Sequence, residues 1–297
     1  MYLTYQMMIG ALSAKSLNIK DYTQTANPAF RGVEVYAGDA KAASADILYI
    51  APLSIAAAAD AGQPLSFLCV CDGAPPSTLI TKNCISIAAD ISVTDLVNQA
   101  CRTFSAITQW VIKMQNSVIA GEGVQALLDL SRPFLKNPVI LMDLTGKLLA
   151  HTFDGAPDGG ACELNPAHVL RAKDFFKFRN ITLDTEELSG EPVVCTDRSV
   201  VSCPTVKRSF KLSGAFCIYA VMPCCNCSLS QGLIDRFSLL CRFIEAYVKR
   251  GYPYEGKYSA FDSLLQDFLD GRLQDPEEIS LRTSRASIPC SGLFDLY

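Results

Sequence analysis

The sequence predicts an α/β domain over residues 1–92 and an α+β domain over residues 121–252, joined by one long helix. Short apolar runs alternate with helical stretches in the first part. An uninterrupted amphipathic stretch follows, and a hairpin, helices and alternating strands come after it. Strands buried on both faces are continuous apolar runs, whereas half-buried strands alternate apolar and polar residues. The first domain is therefore predicted to hold a mostly parallel sheet and the second an antiparallel one.

The composition limits the classes of protein to which the chain belongs. Of 297 residues, 49% are apolar and 19% are charged, which is typical of a globular protein with a substantial core. The net charge of −4 argues against a broad basic surface for nucleic acid. No apolar run reaches the roughly 18 residues of a membrane span, and the N-terminus lacks the basic region of a signal peptide. We therefore expect a cytoplasmic protein without a membrane partner.

Four short apolar runs are the predicted strands of the first domain. A helix over residues 53–62 and a short connection over residues 75–83 separate them, and a further helix is expected within residues 1–17. Strands that alternate with helices imply a parallel sheet. Cys69 and Cys71 would lie on one face of their strand, as buried packing residues rather than as a chelating pair. The four runs are VEVYA, ADILYIAP, PLSFLCVCDG and CISIAAD.

Residues 93–120 are predicted to form one long helix. The stretch contains no Pro or Gly, and Gly121 ends it. A helix of this length measures roughly 40 Å, so we expect it to link two bodies, with a core helix of one large domain as the alternative. Its apolar stripe consists of Leu96, Val97, Ala100, Phe104, Ile107, Val111, Met114 and Val118, spaced three or four apart.

The second domain is predicted to begin with a short helix and a hairpin over residues 139–152 that turns at Thr145 and Gly146. A helix over residues 167–179, a short strand over residues 192–195 and an alternating strand over residues 205–212 follow. An apolar strand then precedes a long amphipathic helix. The last two span residues 214–222 and 228–250.

Two groups of residues follow one another in a fixed order along the chain. The first is a Trp in the long helix, a Leu-rich short helix and an N-P-V-x-L-x-D-x-x-G-x-L-L-A motif, and the second lies near the C-terminus. The residues are Trp110, Leu127, Leu128, Asn137, Pro138, Val139, Leu141, Asp143, Gly146, Leu148, Leu149 and Ala150, then Phe261, Leu264, Leu265, Phe268, Leu269, Asp270, Gly271, Asp275, Pro276, Glu277 and Glu278. In this order they resemble PucR/CdaR-type bacterial transcription regulators, from about residue 90 onward.

This resemblance implies a GAF/PAS-like fold for residues 121–252. It also implies that residues 253–297 are the start of a truncated GGDEF-like domain, which in that family precedes a helix-turn-helix. The chain would then be the sensory part of a longer regulator. We expect it to act as a homodimer through its linker helices, to bind a small-molecule effector, and to make no direct contact with nucleic acid.

Three residues of the second domain are the candidate ligand-binding set: Phe175, Arg208 and Tyr219. Sensor folds hold ligands between sheet and covering helix, with apolar walls and few polar groups. Arg208 lies on the predicted apolar face of its strand, and a cation in such surroundings needs an anion. The alternative is an arginine at an interface, or one that extends its head to the sheet edge.

A group of cysteines at Cys224, Cys225 and Cys227, with Cys195 and Cys203 upstream, is the other candidate site. A structural zinc site needs about four N or S ligands, commonly from two knuckles, and the chain has one such cluster and 2 histidines. We therefore predict no metal. A turn before a helix lowers a thiol pKa, which favours redox sensing as an alternative, beside a loop with incidental cysteines.

The sequence lacks the motifs of common catalytic sites. It contains no G-x-S-x-G, H-E-x-x-H, P-loop or dinucleotide fingerprint. We therefore predict a protein that is not an enzyme and needs no cofactor. The expected function is that of a ligand sensor in transcription regulation. A thiol or metal sensor and a small enzyme on a GAF-like scaffold are the alternatives.

Overall fold

A computed structural model describes residues 2–13, 17, 19–24, 27–38, 43–59, 65–73, 84–88, 91–143, 148–152, 190–196, 203–211, 217–250, 260–271, 273–274, 276, 279–280 and 283. The chain divides into two compact units. Residues 1–112 and 230–236 form unit 1, and residues 113–229 and 237–297 form unit 2. Helices and sheets occur together, so the predicted mixed α/β class is confirmed.

Unit 1 contains a five-stranded mixed sheet. Its elements are β1 (Leu3–Thr4), α1 (Tyr5–Ser13), β2 (Ile19–Gln24), β3 (Ala29–Phe30), β4 (Gly32–Val35), β5 (Ile47–Pro52), α2 (Leu53–Ala58), β6 (Ser66–Val70), β7 (Cys84–Ala88) and most of α3 (Val93–Ala120). The sheet order is β2-β7-β6-β5-β4, and β4 to β7 are parallel. These are the four predicted strands, in the predicted parallel arrangement.

Strand β2 is the part of this sheet that the apolar pattern did not predict. It pairs antiparallel with β7 and forms one edge of the sheet. Its sequence, IKDYTQ, is mostly polar, as is common for edge strands. Cys71 also departs from expectation. It lies beyond the end of β6 and is exposed, whereas Cys69 is fully buried, so the prediction that both are buried packing residues of one strand is wrong.

The start of the chain packs against the first turns of α5 (Gln231–Lys249) within unit 1. Thr4 caps α1 by accepting a hydrogen bond from Met7 N at 3.2 Å, and its hydroxyl also donates to Asp235. A Cβ on Gly232 would lie 2.1 Å from the Gln6 carbonyl oxygen. Only glycine permits so close an approach of the two backbones at this position.

Helix α3 has the predicted extent, within one residue. Ser92 caps its first turn by accepting from Asp95 N at 3.0 Å, and Gly121, with φ 72°, follows its last residue. The unit boundary falls inside α3, after Ile112. Its role as a linker remains a prediction. The buried residues of α3 are Leu96, Ala100, Thr103, Ile107, Trp110, Met114, Ser117 and Val118, whereas Val97, Phe104 and Val111 of the predicted stripe are half-buried.

Unit 2 contains a five-stranded antiparallel sheet. Its order is β10-β11-β12-β8-β9. The predicted hairpin is β8–β9, and β10, β11 and β12 match the three other predicted strands closely. The elements are α4 (Val124–Leu135), β8 (Ile140–Asp143), β9 (Leu148–His151), β10 (Val193–Cys195), β11 (Thr205–Lys211), β12 (Cys217–Pro223), the greater part of α5, and α6 (Ala260–Leu269).

Several predicted features lie outside the described residues. They are the tip of the hairpin, the helix over residues 167–179 with Phe175, and the terminal GLFDLY strand. Helix α6 contains the first residues of the second motif group, Phe261 to Leu269. Across the part of the chain that is described, no helix has both the length and the apolar character needed to cross a membrane.

Candidate functional site

The register of the unit 2 sheet assigns each side chain to one of its two faces. Residues paired across antiparallel strands share a face, and neighbours along a strand alternate. Arg208 is paired with Ala220, which is paired with Leu141 on β8. Val206 and Phe210 share the face of Arg208, as the alternating sequence predicted. Lys207, on the opposite face, is also buried, so neither face of β11 is simply exposed to solvent.

Helix α5 lies over the Arg208 face and supplies the anion that this arginine needs. Arg208 Nη2 is 2.9 Å from Glu245 Oε2, and Nη1 donates to the Ser238 carbonyl at 3.5 Å. The guanidinium carbon lies 5.2 Å from the centre of the Phe210 ring. Only 8% of the Arg208 side chain is exposed, so the interaction is shielded from water. Burial raises the pKa of the Cys241 thiol, which also contacts Arg208.

The ion pair continues toward solvent through a second cation. Lys249 Nζ lies 2.7 Å from Glu245 Oε1, and the exposed fractions of these side chains are 62% and 28%. One carboxylate therefore stands between two cations, which gives the group of Arg208, Glu245 and Lys249 a formal charge of +1. The Arg208 Nε has no hydrogen-bond partner among the residues the structure describes. This arrangement suits an additional anion.

Tyr219 lies on the opposite face from Arg208. It is paired with Ser209 on β11 and with Met142 on β8. The structure thus does not bring these two members of the candidate set to one side of the sheet, and Phe175 lies outside the described residues. Arg208 is the member with a defined charged environment, and the ligand-binding role of each residue stays a prediction.

The residues that complete the Arg208 group were not identified from the sequence. On α5, one face carries residues spaced three or four apart: Ser238, Cys241, Glu245 and Lys249. Glu245 and Lys249 have the i, i+4 spacing of a helical ion pair, which was available in the sequence. That this pair meets Arg208 depends on how α5 packs on the sheet, and no local pattern contains that information.

The cysteine cluster follows β12 in a turn that Asn137 holds in place. Asn137 Oδ1 accepts hydrogen bonds from the backbone N–H groups of Asn226 and Cys227 at 2.8 and 2.9 Å. Its Nδ2 donates to the Cys227 carbonyl at 3.0 Å and to Cys227 Sγ at 3.1 Å. The Asn226 side chain in turn donates to the Lys136 carbonyl at 2.9 Å. One buried amide therefore holds the end of the turn at Asn226 and Cys227.

Five cysteines lie at or beside this end of the sheet. Cys195 is paired with Thr205, and Cys224 N donates to the Pro204 carbonyl at 2.8 Å, which carries the β11–β12 pairing one residue beyond Thr205. Cys203 immediately precedes Pro204, and Cys225 and Cys227 follow Cys224. All five are thiols rather than disulfides.

The predicted lowering of a thiol pKa is wrong for Cys224. Burial raises the pKa of this thiol to about 12, and the charges of Cys227 and Cys203 act in the same direction. Cys224 is 7% exposed, so the loss of hydration outweighs any effect of the following helix. Among the described residues no group of three or more His, Cys, Asp or Glu side chains is arranged to hold a metal ion.

Comparison with known proteins identifies no family for this chain. No family model matches the sequence. No curated protein matches it either. The resemblance to PucR/CdaR-type regulators, from about residue 90 onward, therefore stays a prediction that rests on the order of its motifs.

Proposed function

We propose that this chain is the sensory part of a transcription regulator of the PucR/CdaR type and that unit 2 binds a small anionic metabolite. The observation that carries the proposal is the buried Arg208, which shares one carboxylate, Glu245, with a second cation, Lys249. An anion that reaches Arg208 would replace or supplement this single carboxylate, because a guanidinium accommodates planar oxyanions with two parallel hydrogen bonds.

The strand order supports a GAF/PAS-like assignment for unit 2. Counted from β8, its sheet has the antiparallel order 2-1-5-4-3, in which the first and last strands lie side by side in the middle. This is the order expected of the sensor fold that the resemblance implies. The proposed site faces α5, in agreement with the position of ligands between sheet and covering helix in such folds.

Signal transmission is proposed to act through α5. When an anion competes with Glu245 for Arg208, the attachment of α5 to the sheet changes, and the population of its packed states shifts. Residues 231–236 of α5 belong to unit 1 and the remainder to unit 2. A helix that contributes to both units is suited to transmit such a shift, and α3 has the same property. In the full regulator a DNA-binding module would receive it.

A homodimer through α3 is the second part of the proposal. Ile112 and Ile119 are seven residues apart on this helix and are 41% and 55% exposed. Large apolar side chains at this spacing on an exposed helical face favour contact with another helix. Sedimentation of wild type and of an Ile112→Glu, Ile119→Glu double variant tests the dimer, which the double variant is expected to lose.

The ligand site is tested by calorimetry with small carboxylates and phosphate esters, each beside a neutral amide or alcohol analogue. We expect binding of one anion class, loss of at least about tenfold in affinity for Arg208→Met, and a gain of about tenfold for Glu245→Gln, equivalent to roughly 1.4 kcal/mol. Arg242→Met, an exposed arginine of α5, is the matched control. An anion that binds wild type and Arg208→Met equally would reject the assignment.

A further inference from the structure

We propose that Cys224 and Cys227 form a reversible disulfide by reaction with low-molecular-weight disulfides, so that the turn between β12 and α5 is a thiol-modification site. This inference does not depend on the proposed ligand site. It rests on the spacing of the two thiols, on the way Asn137 holds the turn, and on the different surroundings of the two sulfur atoms.

The two cysteines have the C-x-x-C spacing, with Cys225 and Asn226 between them. In a tight turn this spacing brings both sulfur atoms within reach of each other, and it is the spacing of dithiol redox motifs. The hydrogen bonds of Asn137 fix the backbone at Asn226 and Cys227. The turn is therefore folded before reaction, and closing the disulfide requires little additional ordering.

The two thiols divide the chemistry between them. Cys227 is half-buried, and its sulfur accepts from Asn137 Nδ2 at 3.1 Å and donates to the Leu135 carbonyl at 3.5 Å. Cys224 is buried, with a pKa raised to about 12 by loss of hydration. Cys227 is thus the thiol that reacts first with an external disulfide. The buried Cys224 is the thiol that then attacks the mixed disulfide.

The reaction balances with the external disulfide as the oxidant. The Cys227 thiolate attacks one sulfur of R–S–S–R, which forms a mixed disulfide at Cys227 and releases one R–S⁻. Cys224 then loses its proton and attacks Cys227 Sγ, so the Cys224–Cys227 bond forms and the second R–S⁻ leaves. Two protein thiols are oxidised by two electrons, one external disulfide is reduced to two thiols, and the two protons pass to the released thiolates.

Oxidation would change the hydrogen bonds that hold the turn. The Cys227 S–H that donates to the Leu135 carbonyl at the end of α4 is lost. The sulfur that accepts from Asn137 also turns toward Cys224. The junction that precedes α5 would therefore be altered directly, without a change in any residue of α5 itself.

Two neighbouring thiols provide the competing outcomes. Cys203 lies close enough to Cys224 for its charge to affect that thiol, and Cys225 lies inside the turn. Trypsin cleavage separates these possibilities, because residues 199–207 carry Cys203 whereas residues 212–236 carry Cys217, Cys224, Cys225 and Cys227. A Cys224–Cys227 bond leaves both peptides unlinked, whereas a bond to Cys203 joins them.

The test is incubation of the intact chain with reduced and oxidised glutathione in graded ratios, followed by alkylation, trypsin and fragment-ion mass spectrometry. We expect peptide 212–236 to become lighter by two hydrogen atoms, with Cys224 and Cys227 protected from alkylation, at ratios where the exposed Cys101 is still a free thiol. Dithiothreitol should reverse the change.

Two single variants separate the roles of the thiols. Cys224→Ser is expected to accumulate the glutathione mixed disulfide at Cys227, whereas Cys227→Ser should show no adduct at Cys224. Cys225→Ser and Cys203→Ser are the matched controls and should retain the internal disulfide. The proposal is overturned by peptides 199–207 and 212–236 joined in wild type, by no internal disulfide before Cys101 reacts, or by stoichiometric zinc that protects these thiols. The wild-type result decides the matter if a variant does not fold.

Discussion

The two sheets of this protein differ in what they bury. In unit 1, β5 and β6 are central parallel strands whose buried side chains are apolar except for Ser66, and Tyr36, Tyr49 and Phe67 form a ring cluster with centroids 5.3 to 6.1 Å apart. In unit 2, β11 buries two consecutive cations, Lys207 and Arg208. An apolar sheet is explained by packing alone, whereas a buried cation needs a partner, and the proposed ligand site rests on that need at Arg208.

The largest effect is expected in the apolar sheet. Phe67→Ala removes a fully buried ring that contacts Tyr36 and Tyr49 and leaves a cavity, so unit 1 should lose about 3 to 5 kcal/mol of unfolding free energy. Urea denaturation measures the loss. Ile55→Ala, at a side chain that is 42% exposed, is the control and should change stability by less than about 0.5 kcal/mol. Equal losses in the two variants would contradict the assigned core.

The next largest loss of stability is expected in the unit 2 sheet, which contains the buried Arg208. Glu245→Gln leaves Arg208 without its carboxylate and should destabilise unit 2 by about 1 to 3 kcal/mol, less than for a fully buried pair because Glu245 is 28% exposed. Adding Arg208→Met should restore part of the loss. Asp129→Asn breaks an exposed pair with Arg132 and is expected to cost less than about 1 kcal/mol in the same denaturation experiment.

Substitutions of Asn137 test whether a neutral polar side chain contributes as much to stability as the ion pair of Arg208 and Glu245. Asn137→Ala removes two acceptor and two donor interactions from the turn and should cost about 1 to 3 kcal/mol, because two partly buried N–H groups lose their partner. Asn137→Asp keeps the acceptor and should cost less at neutral pH. If both variants unfold at the wild-type urea concentration, the turn is held by other contacts.

The smallest effect is a pH dependence in unit 1. The Ser54 hydroxyl and backbone N–H donate to Asp72, and the hydroxyl is the main reason that the pKa of this carboxyl lies below its usual range. A lowered pKa means that the interaction is complete above the unfolded pKa of about 3.9 and is lost as pH falls through the folded value. An NMR titration of Asp72 in wild type and Ser54→Ala should show a higher pKa in the variant.

Sequence patterns predicted the strands of both five-stranded sheets apart from β2, but they did not predict how side chains on different strands are arranged. Continuous apolar runs identified β4 to β7 because central parallel strands are buried on both faces. The alternation of β11 correctly assigned Arg208 to the face of Val206 and Phe210. It did not predict that Tyr219 lies on the other face, because the pairing of β11 with β12 fixes that relation.

The candidate sites were predictable only in part. The cysteines were evident from the sequence. The hydrogen bonds by which Asn137 holds their turn were not, because they join residues 89 and 90 positions apart. The partner of Arg208 is 37 residues away, on a helix. Local periodicity identifies which residues lie on a face, whereas the identity of the opposing residue follows from tertiary packing.

The close approach of α1 to the first turn of α5 has a consequence for the order in which the protein is made. Thr4 and Asp235 are 231 residues apart in sequence. Protein synthesis adds about 5 to 20 residues per second, so the ribosome synthesises α1 roughly 10 to 45 s before the segment that contains Gly232. During that interval Gln6 and Gly10 of α1, which lie against Gly232, have no α5 beside them. Unit 1 therefore cannot complete its fold until residues 230–236 have been synthesised.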